Sequence, residues 1–152
     1  MLECGFNAVL NTADHKLLRV DRNKEEAMEM KFYRCSHCGQ IVAIVKETGV
    51  PVICCGEPMK EIVAGTTDAS LEKHVPVFEV KDNKVFVTVG AAEHPMIPEH
   101  YIEWVSLKTK QGNQRKALAP GQAPKVCFSI CEGDEVEAVY AYCNLHSLWK
   151  AE

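Results

Sequence analysis

Residues 136–149 of the chain read VEAVYAYCNLHSLW. The segment Val136–Tyr142 is an apolar run of β-strand length, and the turn-forming pair Gly133-Asp134 stands just before it. Cys143 and His146 follow this run directly, and thiolates and imidazoles are common ligands of transition metals. The stretch therefore predicts a strand that leads into a metal site.

Similar apolar runs recur through the second half of the chain. They lie at 78–80, 85–89, 101–107 and 126–130, and turn residues separate them at Asp82-Asn83, Gly112-Asn113 and Pro120-Gly121. Several short strands at this spacing predict an antiparallel β-sandwich. The sequence shows no internal repeat and no low-complexity tract.

Three further histidines, His74, His94 and His100, stand upstream of the Cys143–His146 segment. Together these residues offer four imidazoles and one thiolate. Zinc usually closes a tetrahedron with four ligands, whereas five protein ligands suit a redox metal such as iron and leave one octahedral position free. The set therefore predicts a reactive metal site.

A second group of metal donors lies in the first half of the chain. The segment 35–39 reads CSHCG and the segment 54–59 reads CCGEPM, so the candidate thiolate ligands are Cys35, Cys38, Cys54 and Cys55. A structural zinc ribbon and an iron tetrathiolate are both compatible with this spacing, and on chemistry alone zinc is favoured. His37, inside the first segment, is interpreted as a solvent-facing bystander.

Short apolar runs at 41–45 and 50–53 surround these cysteines, with Gly39, Gly49 and Gly56 between them. This pattern predicts small strands and tight turns. A unit so short cannot stabilise itself by burial alone, so metal binding and pairing with a second copy are both expected to contribute. The small, polar segment Ala64–Ser70 is the expected linker.

Composition excludes several classes of protein. The chain has 152 residues, of which 47% are hydrophobic, and a formal net charge of -4. This charge offers no basic surface for nucleic acid, and no apolar stretch is long enough to span a membrane. Four of the eight cysteines, Cys35, Cys38, Cys54 and Cys55, have metal-like spacing, and the first ten residues do not read as a secretory signal. Both observations favour a reducing, cytoplasmic location.

Three segments of the second half carry a specific resemblance. They are EKHVP at 72–76, HPMIPEHYIEW at 94–104 and CNLHSLW at 143–149, and they resemble superoxide reductases of the desulfoferrodoxin family. The CSHCG and CCGEPM segments resemble the desulforedoxin module that opens the two-iron members. The resemblance implies a desulforedoxin-like iron-binding module at 30–66 and a catalytic domain at 67–152.

The first 29 residues form an extension that is open to two interpretations. The segment MEMKFY at 28–33 looks like the usual opening of the family, which would make the preceding residues the product of an upstream start codon. Alternatively, Thr12 or Asp14 caps a short helix that runs through Glu29. Cys4 and His15, within this extension, are not expected to be metal ligands.

The resemblance also implies the fold and the metals. It implies an all-β chain, with an immunoglobulin-like antiparallel β-sandwich after the small module and two irons per chain. The catalytic iron would have four equatorial imidazoles and an axial thiolate, from His74, His94, His100, His146 and Cys143. The other would have four thiolates, from Cys35, Cys38, Cys54 and Cys55, and would serve electron storage or relay, which reverses the preference for zinc. Ser147 stands where the family commonly has glycine, and ligation is expected to survive the change.

The activity that the resemblance implies is the one-electron reduction of superoxide, with two protons, to hydrogen peroxide. A small electron-transfer protein such as rubredoxin would re-reduce the iron, and the protein would be a homodimer. Because the net charge is negative, attraction of superoxide must be local. Lys73, directly before a ligand, is expected to steer superoxide and organise protonating water. Glu72 is expected to occupy the sixth position after oxidation of the iron and to help expel peroxide.

Two other functions compete with this one. Superoxide dismutation would use the same substrate but would release oxygen during turnover. A non-catalytic electron carrier or a zinc-stabilised binding module would leave the second site vestigial, and the intact set of five ligands argues against it. Cys127 and Cys131 match no ligand motif, and we expect them to be buried free thiols on one face of a strand.

Overall fold

A computed structural model describes residues 29–67 and 69–152 of the chain. Cys4, His15 and the helix considered for the N-terminal extension lie outside these ranges, so the expectations about them stay predictions. Within the described ranges, no helix has the length and apolar character needed to cross a membrane.

The first described part is a small β module. Its strands are β1 (Lys31–Arg34), β2 (Ile41–Ile44), β3 (Ile53–Cys54), β4 (Glu57–Pro58) and β5 (Lys60–Glu61). Strand β1 pairs antiparallel with both β2 and β5, while β3 pairs with β4. The buried hydrophobic side chains of the module are Phe32, Cys35 and Met59, so it has little core of its own, as expected from its length.

The second part begins with one helical turn and continues as a sandwich. Its elements are α1 (Leu71–His74), β6 (Pro76–Lys81), β7 (Lys84–Val89), β8 (Ile102–Thr109), β9 (Asn113–Ala117), β10 (Lys125–Ser129), β11 (Val136–Cys143) and β12 (Ser147–Ala151). One antiparallel sheet has the order β10-β7-β6, and the other has the order β12-β11-β8-β9. The predicted all-β chain, with a small module followed by an immunoglobulin-like antiparallel sandwich, is confirmed.

The main core contains side chains from both sheets of the sandwich. In β7, Val85, Val87 and Val89 are buried while Lys84 and Phe86 are exposed, the alternation of a strand with one face in water. The buried members from the other sheet are Ile102, Val105, Leu107, Val139, Ala141 and Cys143. The predicted turn between β6 and β7 is present, and both Asp82 and Asn83 have positive φ, 50° and 57°, as a tight hairpin turn requires.

Strands β8 and β11 are buried on both faces, which explains why their sequences are apolar without strict alternation. Their second face carries Trp104, Tyr140 and Tyr142, which cluster with Phe32 of β1. The Phe32 ring centroid lies 4.9 Å from that of Trp104 and 5.7 Å from that of Tyr140. The small module therefore packs on the outer face of the four-stranded sheet.

Three strands and one cysteine differ from the sequence-based expectations. Strand β9 was not predicted, because its polar sequence NQRKA is exposed throughout and carries no hydrophobic pattern. Strand β12 was not predicted either, and it directly follows the CNLH segment. Strand β10 ends at Ser129 rather than at Ile130. Cys131 consequently falls in the following turn and is exposed, and the prediction of a buried thiol is wrong there; Cys127 is half-buried.

The packing of the module on the sheet can be tested by Phe32→Ala. Removal of this ring leaves a cavity against Trp104 and Tyr140, and such truncations cost about 3–5 kcal/mol in protein cores. Chemical denaturation followed by circular dichroism measures the loss of unfolding free energy. The matched control is Phe86→Ala, because that side chain is 46% exposed on the other sheet; equal losses for the two variants would contradict the packing.

Candidate metal centres

The four cysteines of the small module converge on one point. Cys35 and Cys38 follow β1, whereas Cys54 ends β3 and Cys55 begins the turn to β4. Their sulfur atoms all lie within 4.8 Å of one another, with 3.6 Å between Cys38 and Cys54 and 3.9 Å between Cys54 and Cys55. Four sulfurs on a tetrahedral ion at about 2.3 Å stand about 3.8 Å apart. The cluster therefore fits one tetrahedral metal ion.

Backbone conformation brings the two adjacent cysteines to this point. Cys55 has φ 51° and Gly56 has φ 82°, so the chain reverses in the left-handed region at both residues. A contact of 2.8 Å between His37 Nε2 and the Glu57 carboxylate joins the segment that carries Cys35 and Cys38 to this one. Both of these side chains are more than half exposed, in agreement with the solvent-facing interpretation of His37.

The electrostatics of the module favour a bound cation. Backbone amides of Cys38 and His37 donate to the Cys35 sulfur and lower the pKa of Cys35 to about 6. The hydrogen bond between the Cys54 thiol and the Cys38 sulfur, with a smaller effect from Cys35, raises the pKa of Cys54 to about 12. Thiolates this close repel one another, and a metal ion relieves that repulsion by compensating their charge.

A second cluster lies where three connecting segments meet at one end of the sandwich. His74 ends α1, His94 and His100 lie between β7 and β8, Cys143 ends β11, and His146 lies just before β12. The donor atoms of four of them, His74, His100, Cys143 and His146, all lie within 4.8 Å of one another.

The four imidazole rings of this cluster form a square. Around it, neighbouring ring centroids are 4.5–4.7 Å apart and the ring planes meet at 77–82°. The Nδ1 atom of His146 lies 2.9 Å from Nε2 of His74 and 3.1 Å from Nε2 of His100. Two ligands at right angles around an ion at about 2.1 Å stand about 3.0 Å apart. These spacings fit donors in one plane around one metal ion.

His94 occupies the fourth corner of the square, although it is outside the group with all donor atoms within 4.8 Å. Its Nδ1–H donates to the carbonyl of Pro95 at 2.6 Å, which leaves the lone pair on Nε2. That Nε2 atom is buried and has no hydrogen-bond partner among the described residues. A buried acceptor without a partner is costly, so this nitrogen is suited to bind a metal ion.

Burial prepares the other side chains of the cluster as ligands. Desolvation lowers the pKa of His74 and His100, and it lowers that of His94 to about 4, so these rings are neutral at pH 7. Desolvation also raises the pKa of the fully buried Cys143 thiol, against the opposing effect of the His146 and Leu145 amides. Its ligating thiolate form therefore needs a cation beside it.

Neighbouring groups fix the orientation of the His74 ring and the backbone at His146. His74 donates Nδ1–H to the carbonyl of Ser70 at 2.7 Å, and its ring stacks on Trp149 at 4.8 Å with 24° between the planes. The Trp149 indole N–H donates to the carbonyl of His146 at 3.0 Å. Ser147 adopts φ 63°, the left-handed conformation that glycine takes freely, so the ligand loop keeps this conformation without a glycine.

The exposed side chains of Glu72 and Lys73 lie on α1, next to His74. Coulombic repulsion from Lys73 makes a small contribution, after desolvation, to the lowered pKa of both His74 and His100. Neither Glu72 nor Lys73 forms an ion pair with a residue in the described ranges.

Gly90 positions this segment and was missed by the sequence analysis. It has φ 83°, and a Cβ atom there would lie 2.5 Å from the Lys73 carbonyl oxygen and 2.4 Å from that of Ala92. The amide of Ala92 donates to the Glu72 carbonyl at 3.0 Å. Only glycine permits so close an approach. The available signal was no more than a single glycine directly after an apolar strand.

Comparisons with known proteins agree with these two clusters. The family model described as desulfoferrodoxin matches residues 66–152, and that of the desulfoferrodoxin N-terminal domain matches residues 27–62. A desulfoferrodoxin of Nitratidesulfovibrio vulgaris is 47% identical over 124 residues, which cover 82% of this chain and 97% of that protein. A desulfoferrodoxin homolog of Archaeoglobus fulgidus is 46% identical over 122 residues, covering 80% of this chain and 96% of that protein.

A solved structure extends the similarity to the fold. The crystal structure of the superoxide reductase from Treponema pallidum superposes with a TM-score of 0.70 at 40% identity, covering 82% of this chain and 99% of that chain. Family model, sequence identity and fold all agree with the four-cysteine and histidine–cysteine clusters. The chain therefore belongs to the desulfoferrodoxin family.

Proposed function

We propose that this chain is a superoxide reductase with two irons. The observation that carries the proposal is the square of four imidazoles beside the buried thiol of Cys143, in a chain that is 40% identical to a superoxide reductase of the same fold. The ligands proposed for the catalytic iron are His74, His94, His100, His146 and Cys143. Those proposed for the other iron are Cys35, Cys38, Cys54 and Cys55.

The protein's own groups hold the metal, attract the substrate and supply protons. When bound, iron at the histidine–cysteine cluster supplies the electron that, with two protons, converts superoxide into hydrogen peroxide. Lys73 places a positive charge near His74 and His100, where it attracts an anion that the net charge of -4 would otherwise repel. Its ammonium is strongly hydrated, and the bound water is a proton source. Glu72, exposed on the same turn, is proposed to help product leave after oxidation.

The four-cysteine iron is proposed to store or relay electrons. Support comes from the contact between the two metal-bearing parts. Phe32 of the module contacts Trp104, and Trp104 stacks on Tyr142 with 5.2 Å between centroids and 6° between planes. Tyr142 directly precedes Cys143. A rubredoxin-like protein is the proposed external donor.

We further propose a cytoplasmic homodimer, with the small module at 30–66 and the catalytic domain at 67–152. No disulfide joins any of the seven cysteines in the described ranges, as suits a reducing compartment. Strand β2 is an edge of its sheet, and the nearby Val45 and Val50 are 89% and 74% exposed. Unpaired strand edges and exposed apolar side chains favour association with a second copy.

The metal assignment predicts about two irons per chain, one with sulfur ligands only and one with mixed nitrogen and sulfur ligands. Metal analysis with visible and electron paramagnetic resonance (EPR) spectra of natively loaded protein measures both. Cys38→Ser should remove the sulfur-only spectrum and leave the mixed one. Stoichiometric zinc in wild type would exclude the electron-relay role, and loss of both irons in the variant would show that the sites are not independent.

The steering role predicts that Lys73→Ala lowers the bimolecular rate constant with superoxide about tenfold at low ionic strength. Added salt should slow the wild type more than the variant, because it screens the charge that the variant lacks. Pulse radiolysis measures both. The matched control is Lys84→Ala. Lys84 is an exposed lysine that begins β7, about 17 Å along that strand from Val89. This variant should change neither the rate constant nor its dependence on salt.

The Glu72→Ala variant completes this test, because its expected defect is a different one. It should keep the bimolecular rate constant and change the resting ferric spectrum and the later, product-linked step. An unchanged rate constant and salt dependence in Lys73→Ala, together with a lost reaction in Glu72→Ala, would contradict both roles.

The proposed homodimer predicts a mass of two chains in analytical ultracentrifugation at micromolar concentration. Val45→Asp should weaken the association, because it places a charge on an exposed apolar position of the small module. The control Val80→Asp alters a valine that is 49% exposed on the sandwich and should leave the dimer intact. A monomeric wild type would contradict the proposal.

A further inference from the structure

In sequence, Asn144 lies between two proposed ligands, Cys143 and His146. Its hydrogen bonds reach the backbone on either side of a third proposed ligand, His100. The backbone amide of Tyr101 donates to Asn144 Oδ1 at 2.9 Å, and Asn144 Nδ2 donates to the Glu99 carbonyl at 3.2 Å. The Asn144 backbone amide donates to the Tyr101 carbonyl at 3.1 Å. One residue therefore holds the backbone on both sides of His100.

The remaining backbone groups at His100 are also bonded. Its amide donates to the Ile97 carbonyl at 3.0 Å, and its carbonyl accepts from the Ile97 amide at 3.1 Å. From the Glu99 carbonyl to the Tyr101 carbonyl, every backbone polar group thus has a partner, supplied by either Ile97 or Asn144. Ile97 belongs to the same loop, so among these backbone hydrogen bonds only those with Asn144 connect the segment to the Cys143–His146 loop.

The carboxamide suits this task because it presents a donor and an acceptor in one plane. Glu99 offers a carbonyl, which needs a donor, and Tyr101 offers an amide, which needs an acceptor. An aspartate at position 144 would satisfy the amide and face the carbonyl with a second acceptor. Alanine would satisfy neither group.

We propose that Asn144 is a positioning residue that sets His100 against the Cys143–His146 loop, an inference that rests on the proposed iron site. His100 Nε2 lies 3.1 Å from His146 Nδ1, and His100 comes from a loop whereas Cys143 ends a paired strand. The carboxamide fixes the spacing between His100 and the Cys143–His146 loop, although Tyr101 and Asn144 are 43 residues apart in sequence. Groups that orient metal ligands in this way typically contribute a factor of about 10–100 to metal affinity.

The test compares Asn144→Ala and Asn144→Asp with wild type in the full-length, iron-loaded protein. The readouts are the EPR spectrum of the ferric mixed-ligand site and the retention of each iron against a chelator. Asn144→Ala should shift the mixed-ligand spectrum and weaken iron retention there about 10- to 100-fold. Asn144→Asp, which keeps the bond from Tyr101 and the shape of the side chain, should fall between alanine and wild type.

Two internal comparisons separate positioning from general damage. Iron at the four cysteines should be retained normally in both variants, and Asn113→Ala, which alters an exposed asparagine on β9, should match wild type at both sites. Wild-type spectra and retention in both Asn144 variants would overturn the inference. So would equal loss from both sites in Asn144→Asp, which would indicate unfolding. A wild type without any mixed-ligand iron would overturn the proposed function and this inference with it.

Discussion

The antiparallel pairing of β8 with β11 is the interaction on which both halves of the molecule depend. One face of this pair closes the core between the two sheets, and the other carries the aromatic side chains on which Phe32 packs. At the Cys143 end of this pair the register shifts. Tyr142 pairs with Trp104 and Cys143 pairs with Ile102, so Glu103 has no partner residue on β11. Bulges of this kind are common beside functional sites, where they re-aim a side chain. The thiol of Cys143 is therefore held at the end of a paired strand, whereas the imidazoles of His94, His100 and His146 lie on loops.

The two clusters reach a metal-ready state through opposite physical means. In the small module, backbone amides stabilise the thiolate of Cys35, and the four sulfurs lie close to one another. Thiolates at this spacing repel one another, and a bound cation relieves the repulsion. In the sandwich, burial keeps three rings neutral and leaves the His94 Nε2 atom without a hydrogen-bond partner among the described residues. The first arrangement suits a closed site of four thiolates. The second combines neutral donors with the nearby charge of Lys73, which suits chemistry on a small anion.

Much of the fold was predictable, because its core strands carry apolar runs that local rules recognise. The predicted strands at 85–89 and 136–142 agree with the observed bounds of β7 and β11 to within one residue at each end. The polar strand β9 was not predictable, since an edge strand that is exposed throughout needs no hydrophobic pattern. The candidate ligands were visible as histidines and cysteines, but contacts such as that of Asn144 with Glu99 join distant parts of the chain. The requirement for Gly90 depends on the approach of the Lys73 carbonyl, which only the folded chain defines.

The histidine–cysteine site is proposed to reduce superoxide and not to oxidise it. The most direct measurement counts both products when superoxide is supplied to the iron-loaded protein with an excess of reduced electron donor, after subtraction of spontaneous dismutation in buffer. A reductase should form one hydrogen peroxide for each superoxide consumed, take one electron from the donor and release no dioxygen. Release of one dioxygen for each hydrogen peroxide, with the donor unconsumed, would show dismutation and exclude a site that only reduces superoxide.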